Sequence, residues 1–338
     1  MNLPVPELGA DPQDLADWLE LSVLAAGRAL PLKEVNVSLE IAEDFEPDAI
    51  HVEDDIAEAR EQAVASAILE RAALLEGAYP FSVNAAGSLL SYSDADLGPG
   101  GSAYLLCLFL SQSAKGGILR GTVDLDLNPA RDLFQVCATI AAAGVAVGPS
   151  VSFGFPRPDH TGYHTKLIEV WKEFRDGTPV DAIPPGGSTN LKDGGIDVIA
   201  WRREADGLPA IPYVLAQAAS GRNWKDKTVK TYVDEFHGFW FSKQPVTRPS
   251  PAMFIPFSLP RTTPDTDFEA QLQIQGTVEL LKLRLGTVYY RLRIPRHVDE
   301  GVTLAKKGVS PIERVDDIGA VLEWVNAAVK LLRQEAAA

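Results

Sequence analysis

Apolar positions in the first part of the chain recur at helical spacing. Asp11-Pro12 offers a capping carboxylate and a proline suited to a first turn. Leu15, Trp18, Leu19, Leu21, Val23 and Leu24 then follow up to Gly27 and predict an amphipathic helix. An Ala- and Glu-rich stretch over 55–75 predicts a second helix, which ends before Gly77. Tyr79-Pro80-Phe81 leads into a short β-prone segment, and Gly98-Pro99-Gly100-Gly101 breaks the chain before an apolar helix over 104–113. A further helix is expected over 129–143, with Asn128 as its cap.

Near Gly148 the pattern changes. Phe153-Gly154-Phe155-Pro156-Arg157-Pro158 reads as an irregular connector, and a domain boundary is expected at about residue 150. Beyond it the periodicity predicts a helix over 161–174, with Leu167, Trp171 and Phe174 on one face. The loop Pro184-Pro185-Gly186-Gly187-Ser188 precedes a strand over 196–201, a turn at Asp206-Gly207 and a strand over 213–216. A helix over 223–236, a strand over 253–259 and helices over 267–285 and 315–332 complete the chain. Residues 151–338 thus read α-β-β-α-β-α before a terminal helix, a mixed α/β layer arrangement, behind a mostly helical half over 1–150.

Composition narrows the classes. At 338 residues, with 46% apolar and 23% charged side chains, the chain has a globular balance and enough length for two domains. No run reaches the roughly 18 apolar residues of a membrane span. The first residues lack the basic and apolar regions of a secretory signal, so a cytoplasmic protein is expected. Cys107 and Cys137 lie in apolar stretches, as buried thiols rather than a disulfide or zinc framework.

The net charge of −15 argues against nucleic acid until its distribution is considered. Residues 1–150 carry 7 basic against 23 acidic side chains, and residues 151–338 carry 24 against 23. The acidity lies entirely in the first half, which suits a partner-binding, sensing or regulatory role. The second half is locally basic at Arg222, Lys225, Lys227, Lys230, Lys243 and Arg248, and again at Lys282, Arg284, Arg291, Arg293 and Arg296.

The chemistry concentrates in Lys192-Asp193-Gly194-Gly195-Ile196-Asp197-Val198-Ile199-Ala200-Trp201. Asp197 stands at the mouth of an apolar strand, where a carboxylate costs several kcal/mol unless a metal, a cation or solvent compensates. Twenty residues on, Gln217-Ala218-Ala219-Ser220-Gly221-Arg222-Asn223-Trp224-Lys225-Asp226-Lys227 closes the neighbouring strand. Strands about 4.8 Å apart can bring such side chains to one cation. No G-x-S-x-G, Walker A or strand-coupled G-x-G-x-x-G occurs. His160 and His164, four apart, lack the context of a zinc pair.

These two segments resemble the PD-(D/E)XK superfamily of nucleases, the restriction-endonuclease-like fold, over about 100 residues. In that core a helix precedes a hairpin bearing an acid on one strand and E/Q-x-K on the next, followed by a helix and another strand. Asp197 resembles the acid, and Gln217 the second ligand of variants that use Gln. The resemblance departs at Ala219, where the family has lysine; Lys227, or Lys225 beside it, would take over that role. The resemblance further implies a third acid from the preceding helix, for which Glu169 is preferred over Glu173. It implies Mg²⁺ (or Mn²⁺) held by Asp197, Gln217 and Glu169. Arg222, Lys225 and Lys230 would grip phosphates, and hydrolysis of DNA, with RNA as the alternative, would serve restriction or anti-phage defence. A homo-oligomer or a complex subunit is expected. The rival expectation is a non-cutting nucleic-acid-binding or scaffold subunit.

Overall fold

A computed structural model describes residues 3–4, 6, 10–36, 50–95, 97–187, 192, 194–209, 211–259 and 268–337, with residues 50–56 described by backbone only. Ser188, Asp193 and the expected helix start at Asp267 lie outside the described residues. The fold is mixed α/β.

Helix α1 (Pro12–Ala26) begins as its sequence predicts: Asp11 accepts the Gln13 N–H at 2.8 Å, and Gly27 closes the helix at a positive φ. Strand β1 (Leu30–Pro31) and helix α2 (Ile50–Leu75) follow. Strands β2 (Phe81–Val83) and β3 (Leu89–Tyr92) join β1 in a small antiparallel sheet ordered β1-β3-β2. Helix α3 (Pro99–Gln112) is buried along nearly its whole length. Helix α4 (Leu127–Ala146) starts two residues earlier than Asn128 predicts, because Asp126 accepts the Asn128 N–H and is the cap.

The second half supplies β4 (Ser150–Ser152), α5 (Tyr163–Trp171), β5 (Thr178–Pro179), β6 (Val198–Trp201) and β7 (Tyr213–Ala218). Then come α6 (Val229–Trp240), β8 (Phe241–Lys243), β9 (Ser250–Phe254), α7 (Phe268–Leu285) and β10 (Thr287–Tyr289). Helices α8 (Ile294–Lys306) and α9 (Ile318–Ala337) end the chain. The expected helix over 223–236 is divided: Arg222–Asp226 forms a 3₁₀ turn, Lys227 is extended, and α6 begins at Val229.

The main sheet is ordered β10-β9-β7-β6-β4. Strands β4, β6 and β7 run antiparallel in sequence, whereas β9 pairs parallel with β7 and β10 parallel with β9. One face is aromatic: Trp171 and Phe174 pack on Tyr213, Phe174 on Trp201, and Phe236 of α6 on Trp171. Alternation sends Val198, Ala200, Val214 and Ala216 to the other face. There α4 lies across β4, β6 and β7, with its small residues Ala138, Ala141 and Ala142 buried. The two halves expected from the sequence share one continuous buried cluster, running from Leu3 to Leu332.

A buried polar network ties α1, α2 and α3 to the end of the sheet. Arg71 binds Glu20 at 2.7 Å and Asp17 at 2.8 Å, and Tyr79 donates to Glu20 at 2.7 Å. Asp17 also binds Arg291, which donates to Ser111 Oγ at 3.1 Å and Ser258 Oγ at 2.7 Å. Arg291, one of the basic residues counted in the second half, is therefore interior. Among the described residues no helix is long and apolar enough to cross a membrane.

Candidate functional site

The double glycine Gly194-Gly195 turns at positive φ into β6, and Asp197 is the last residue before that strand. At Gly195 the left-handed backbone and the Tyr232 ring, 2.5 Å from where a side-chain carbon would stand, both require glycine. Asp197 is buried. Its N–H donates to Ala216 O at 2.8 Å, while its carbonyl accepts two N–H groups, from Phe153 at 2.7 Å and Gly154 at 2.9 Å. Two residues of one strand thus face one residue of the next, a bulge that ends β4 beside Asp197. The carboxylate reaches across to β7, where Oδ2 accepts the Ala218 N–H at 2.9 Å.

The other carboxylate oxygen lies toward α4. A side-chain carbon placed on Gly154 would stand 2.8 Å from Asp197 Oδ1 and 2.3 Å from Gln135 Nε2. Gln135 Nε2 in turn donates to Ser152 Oγ at 3.1 Å. Asp197 is therefore accompanied by an amide from a helix of the first half, which the sequence reading did not select. A lone Gln some sixty residues upstream carries no motif, and only the way α4 crosses the sheet brings it here.

Gln217 follows the Val198–Ala216 pair on β7, one rung beyond, whereas the Asp197 N–H donates to Ala216 O. It alternates with Tyr213 and Leu215, which places it on the aromatic side of the sheet. It is buried, and its Oε1 has no hydrogen-bond partner. An unsatisfied buried acceptor costs about 1–3 kcal/mol, so this oxygen marks a place where a donor or a cation fits.

The remaining predicted residues are spread more widely. Ala219 is buried where the resemblance calls for lysine, its N–H donating to Phe254 O at 2.9 Å. Lys227 is half-buried at the end of the 3₁₀ turn that Trp224 anchors in the core. Glu169 stands on the exposed side of α5, opposite Leu167, Val170 and Trp171, and Glu173 pairs with Arg203 at 2.7 Å. Arg222 lies over the Phe257 ring at 4.7 Å and donates to Ser111 O at 3.3 Å. Lys225 is exposed above the Trp224 ring at 5.6 Å. Lys230 lines a cleft of about 400 Å³ with His237, Asp234 and Arg248. Trp201, Trp224 and Trp240 are all core residues. His164 is engaged by Val180 O at 2.7 Å rather than by His160.

On the outer edge of β4 lies a second charged group that sequence reasoning missed. Lys166, buried on α5, binds both Asp159 and Glu313, and Glu313 Oε2 accepts the Ser152 N–H at 2.9 Å. Burial alone would raise the Asp159 carboxyl, but the Lys166 and Thr161 hydrogen bonds hold it at about 2. Among the described residues, no group of three or more His, Cys, Asp or Glu side chains is arranged to hold a metal ion. No family model, curated protein or solved structure matches the chain.

Proposed function

We propose that this protein is a divalent-metal-dependent nuclease of the PD-(D/E)XK kind, acting on the phosphodiester bonds of DNA. The observation that carries the reading is the path of the chain around Asp197. A helix (α4) leads into antiparallel β4, β6 and β7, with Asp197 at the start of β6 and Gln217 near the end of β7. Then α6 returns the chain to β9, parallel to β7. The helix that the resemblance expects before the hairpin is α5, and the order α5, β6, β7, α6, β9 follows it with the short β5 and β8 interposed.

The unpartnered Gln217 Oε1 fits a cation ligand, and Asp197 is the acid that the resemblance pairs with it. The nuclease reading has both side chains hold Mg²⁺ or Mn²⁺, which requires Gln217, on the aromatic side of the sheet, and the Asp197 carboxylate, whose Oδ1 lies on the α4 side, to reach one ion. When bound, such an ion polarises a phosphate oxygen and acidifies a water molecule. The chain's own groups do the rest. The Ala218 N–H orients the Asp197 carboxylate, and Gln135 flanks its other oxygen. Lys227 supplies positive charge in place of the lysine absent at Ala219, and Lys225 meets a flanking phosphate. Glu169, on the outer side of α5, takes no part in this arrangement.

The buried Ala219 favours a second reading, a subunit that binds nucleic acid without cutting it. Plasmid cleavage with Mg²⁺ and with Mn²⁺, measured for the native chain and Asp197→Ala, separates the two. The nuclease reading expects cutting by the native chain alone, and equal cutting by both proteins sinks this site. The binding reading expects no cutting, no rescue by Ala219→Lys, and DNA retention that falls steeply with salt. A chain that neither cuts nor retains DNA at low salt removes both.

A further inference from the structure

Helix α7 turns a narrow face inward, where Leu281 and Leu285 are buried. On the opposite side Phe268, Leu272, Leu280 and Leu283 are exposed by 72%, 52%, 65% and 66%. At 3.6 residues per turn these four and Gly276 fall in one stripe that points away from the rest of the molecule. Isolated exposed leucines are ordinary on a protein surface, but a continuous apolar stripe marks a contact surface.

The stripe is symmetric about its centre. Leu272 lies four residues before Gly276 and Leu280 four after; Phe268 lies eight before and Leu283 seven after. At Gly276 itself an added side-chain carbon would meet nothing within 4 Å, so the backbone is bare at the midpoint. Charge at the two ends follows the same symmetry with opposite sign, while Glu279 lies within the stripe three residues past its midpoint. Glu269 stands in the first turn, whereas Lys282 and Arg284 stand in the last. A two-fold interface uses one patch twice, so the patch must complement itself. This helix does so in its apolar spacing and in the charges of its two ends.

We propose that α7 is the interface of a two-fold homodimer, packed antiparallel against α7 of a second copy and crossing it at Gly276. Leu272 of one chain then meets Leu280 of the other, Phe268 meets Leu283, and Glu269 lies beside Arg284. The antiparallel arrangement also sets opposite ends of the two helix dipoles side by side. The helix is about 27 Å long, which gives a contact near the small end of specific interfaces, at or below roughly 1,200 Å². The dimer is accordingly expected to dissociate in the micromolar range. The proposal is independent of the nuclease reading.

Sedimentation velocity of the full chain, from about 1 to about 100 µM, tests it. The native protein should shift from monomer to dimer across that range. Leu272→Glu/Leu280→Glu should remain monomeric with an unchanged circular dichroism melt, because both side chains are exposed. Glu269→Arg should weaken the dimer, and adding Arg284→Glu should restore it. Gly276→Cys should be joined to a second copy by a short thiol-specific crosslinker, since Cys107 and Cys137 are buried. A native chain that stays monomeric throughout overturns the proposal. So does a dimer that survives the double glutamate variant, or a Gly276→Cys chain that fails to crosslink.

Discussion

At the scale of single residues, the interior position of Gln217 separates a structural role from a binding one. If its Oε1 waits for a ligand, Gln217→Leu removes a buried acceptor without a partner and should leave the melting temperature level or slightly raised, while abolishing metal-dependent cleavage. A melt lowered by several degrees would show instead that the amide supports the fold. His237 provides a residue-scale test of stability. Tyr213 O–H donates to Thr247 O at 3.1 Å, which leaves His237 Nε2 to donate to the Tyr213 oxygen, also at 3.1 Å. Burial pushes this imidazole down to about 4 from 6.5. Between those values the unfolded chain binds the extra proton, so stability is full above about pH 6.5 and declines toward pH 4. The urea midpoint should fall over that window, and His237→Gln should flatten the fall; an identical slope in the variant would exclude His237 as its source. Two residues of the candidate site were legible at this scale. Gly194-Gly195-Ile196-Asp197 announces a turn and a misplaced charge, and Gln217 ends an otherwise apolar strand. Gln135 was not legible, because nothing local distinguishes it from any other helical glutamine. Glu169 is the more central of two acids on the helix before the hairpin, but the apolar face of Leu167, Trp171 and Phe174 already leaves it on the solvent side.

At the scale of elements, close backbone approaches decide where helices and strands meet. A side-chain carbon on Gly144 of α4 would stand 2.3 Å from His297 O, and one on Gly301 of α8 2.2 Å from Ile140 O. These reciprocal contacts let the two helices touch backbone to backbone, so Gly301→Ala should force them apart at a cost of about 1–3 kcal/mol, read as a lower denaturation midpoint. An unchanged midpoint would mean that the helices adjust without strain. At the β4 bulge, Gly154→Ala meets only the ends of two side chains, Gln135 and Asp197. It should therefore spare the melt and, on the nuclease reading, reduce cleavage several-fold; a fully active variant would show that the Gln135–Asp197 juxtaposition is dispensable. The same scale explains which elements the sequence hid. Helix α8 carries Pro295 and Gly301, residues that usually interrupt a helix; here the proline occupies the first turn and the glycine admits Ile140 O. Strand β9 holds Pro251 yet runs between β7 and β10, and β4 is three residues long with two buried serines. The amphipathic α1 and the strands β6 and β7 followed their patterns closely.

At the scale of the whole molecule, the acidic first half and the balanced second half form one packed body. The sequence placed a boundary near residue 150 because composition and turn residues change there. Charge and composition record what faces solvent, whereas the shared core runs through α4 and the buried network at Asp17, Glu20, Arg71 and Arg291. Arg71→Met would leave two interior carboxylates with less compensation and should cost about 3–5 kcal/mol, lowering a single unfolding transition rather than creating a second one. Two resolved transitions in the native protein would argue for separable halves. The position of α4 carries a practical consequence for anyone shortening this chain. A fragment that began near residue 150 would keep Asp197 and Gln217 but lose the layer that shields one side of β6 and β7. Its naked alanines and valines would seek one another, and what precipitated would say nothing about the chemistry of the intact protein.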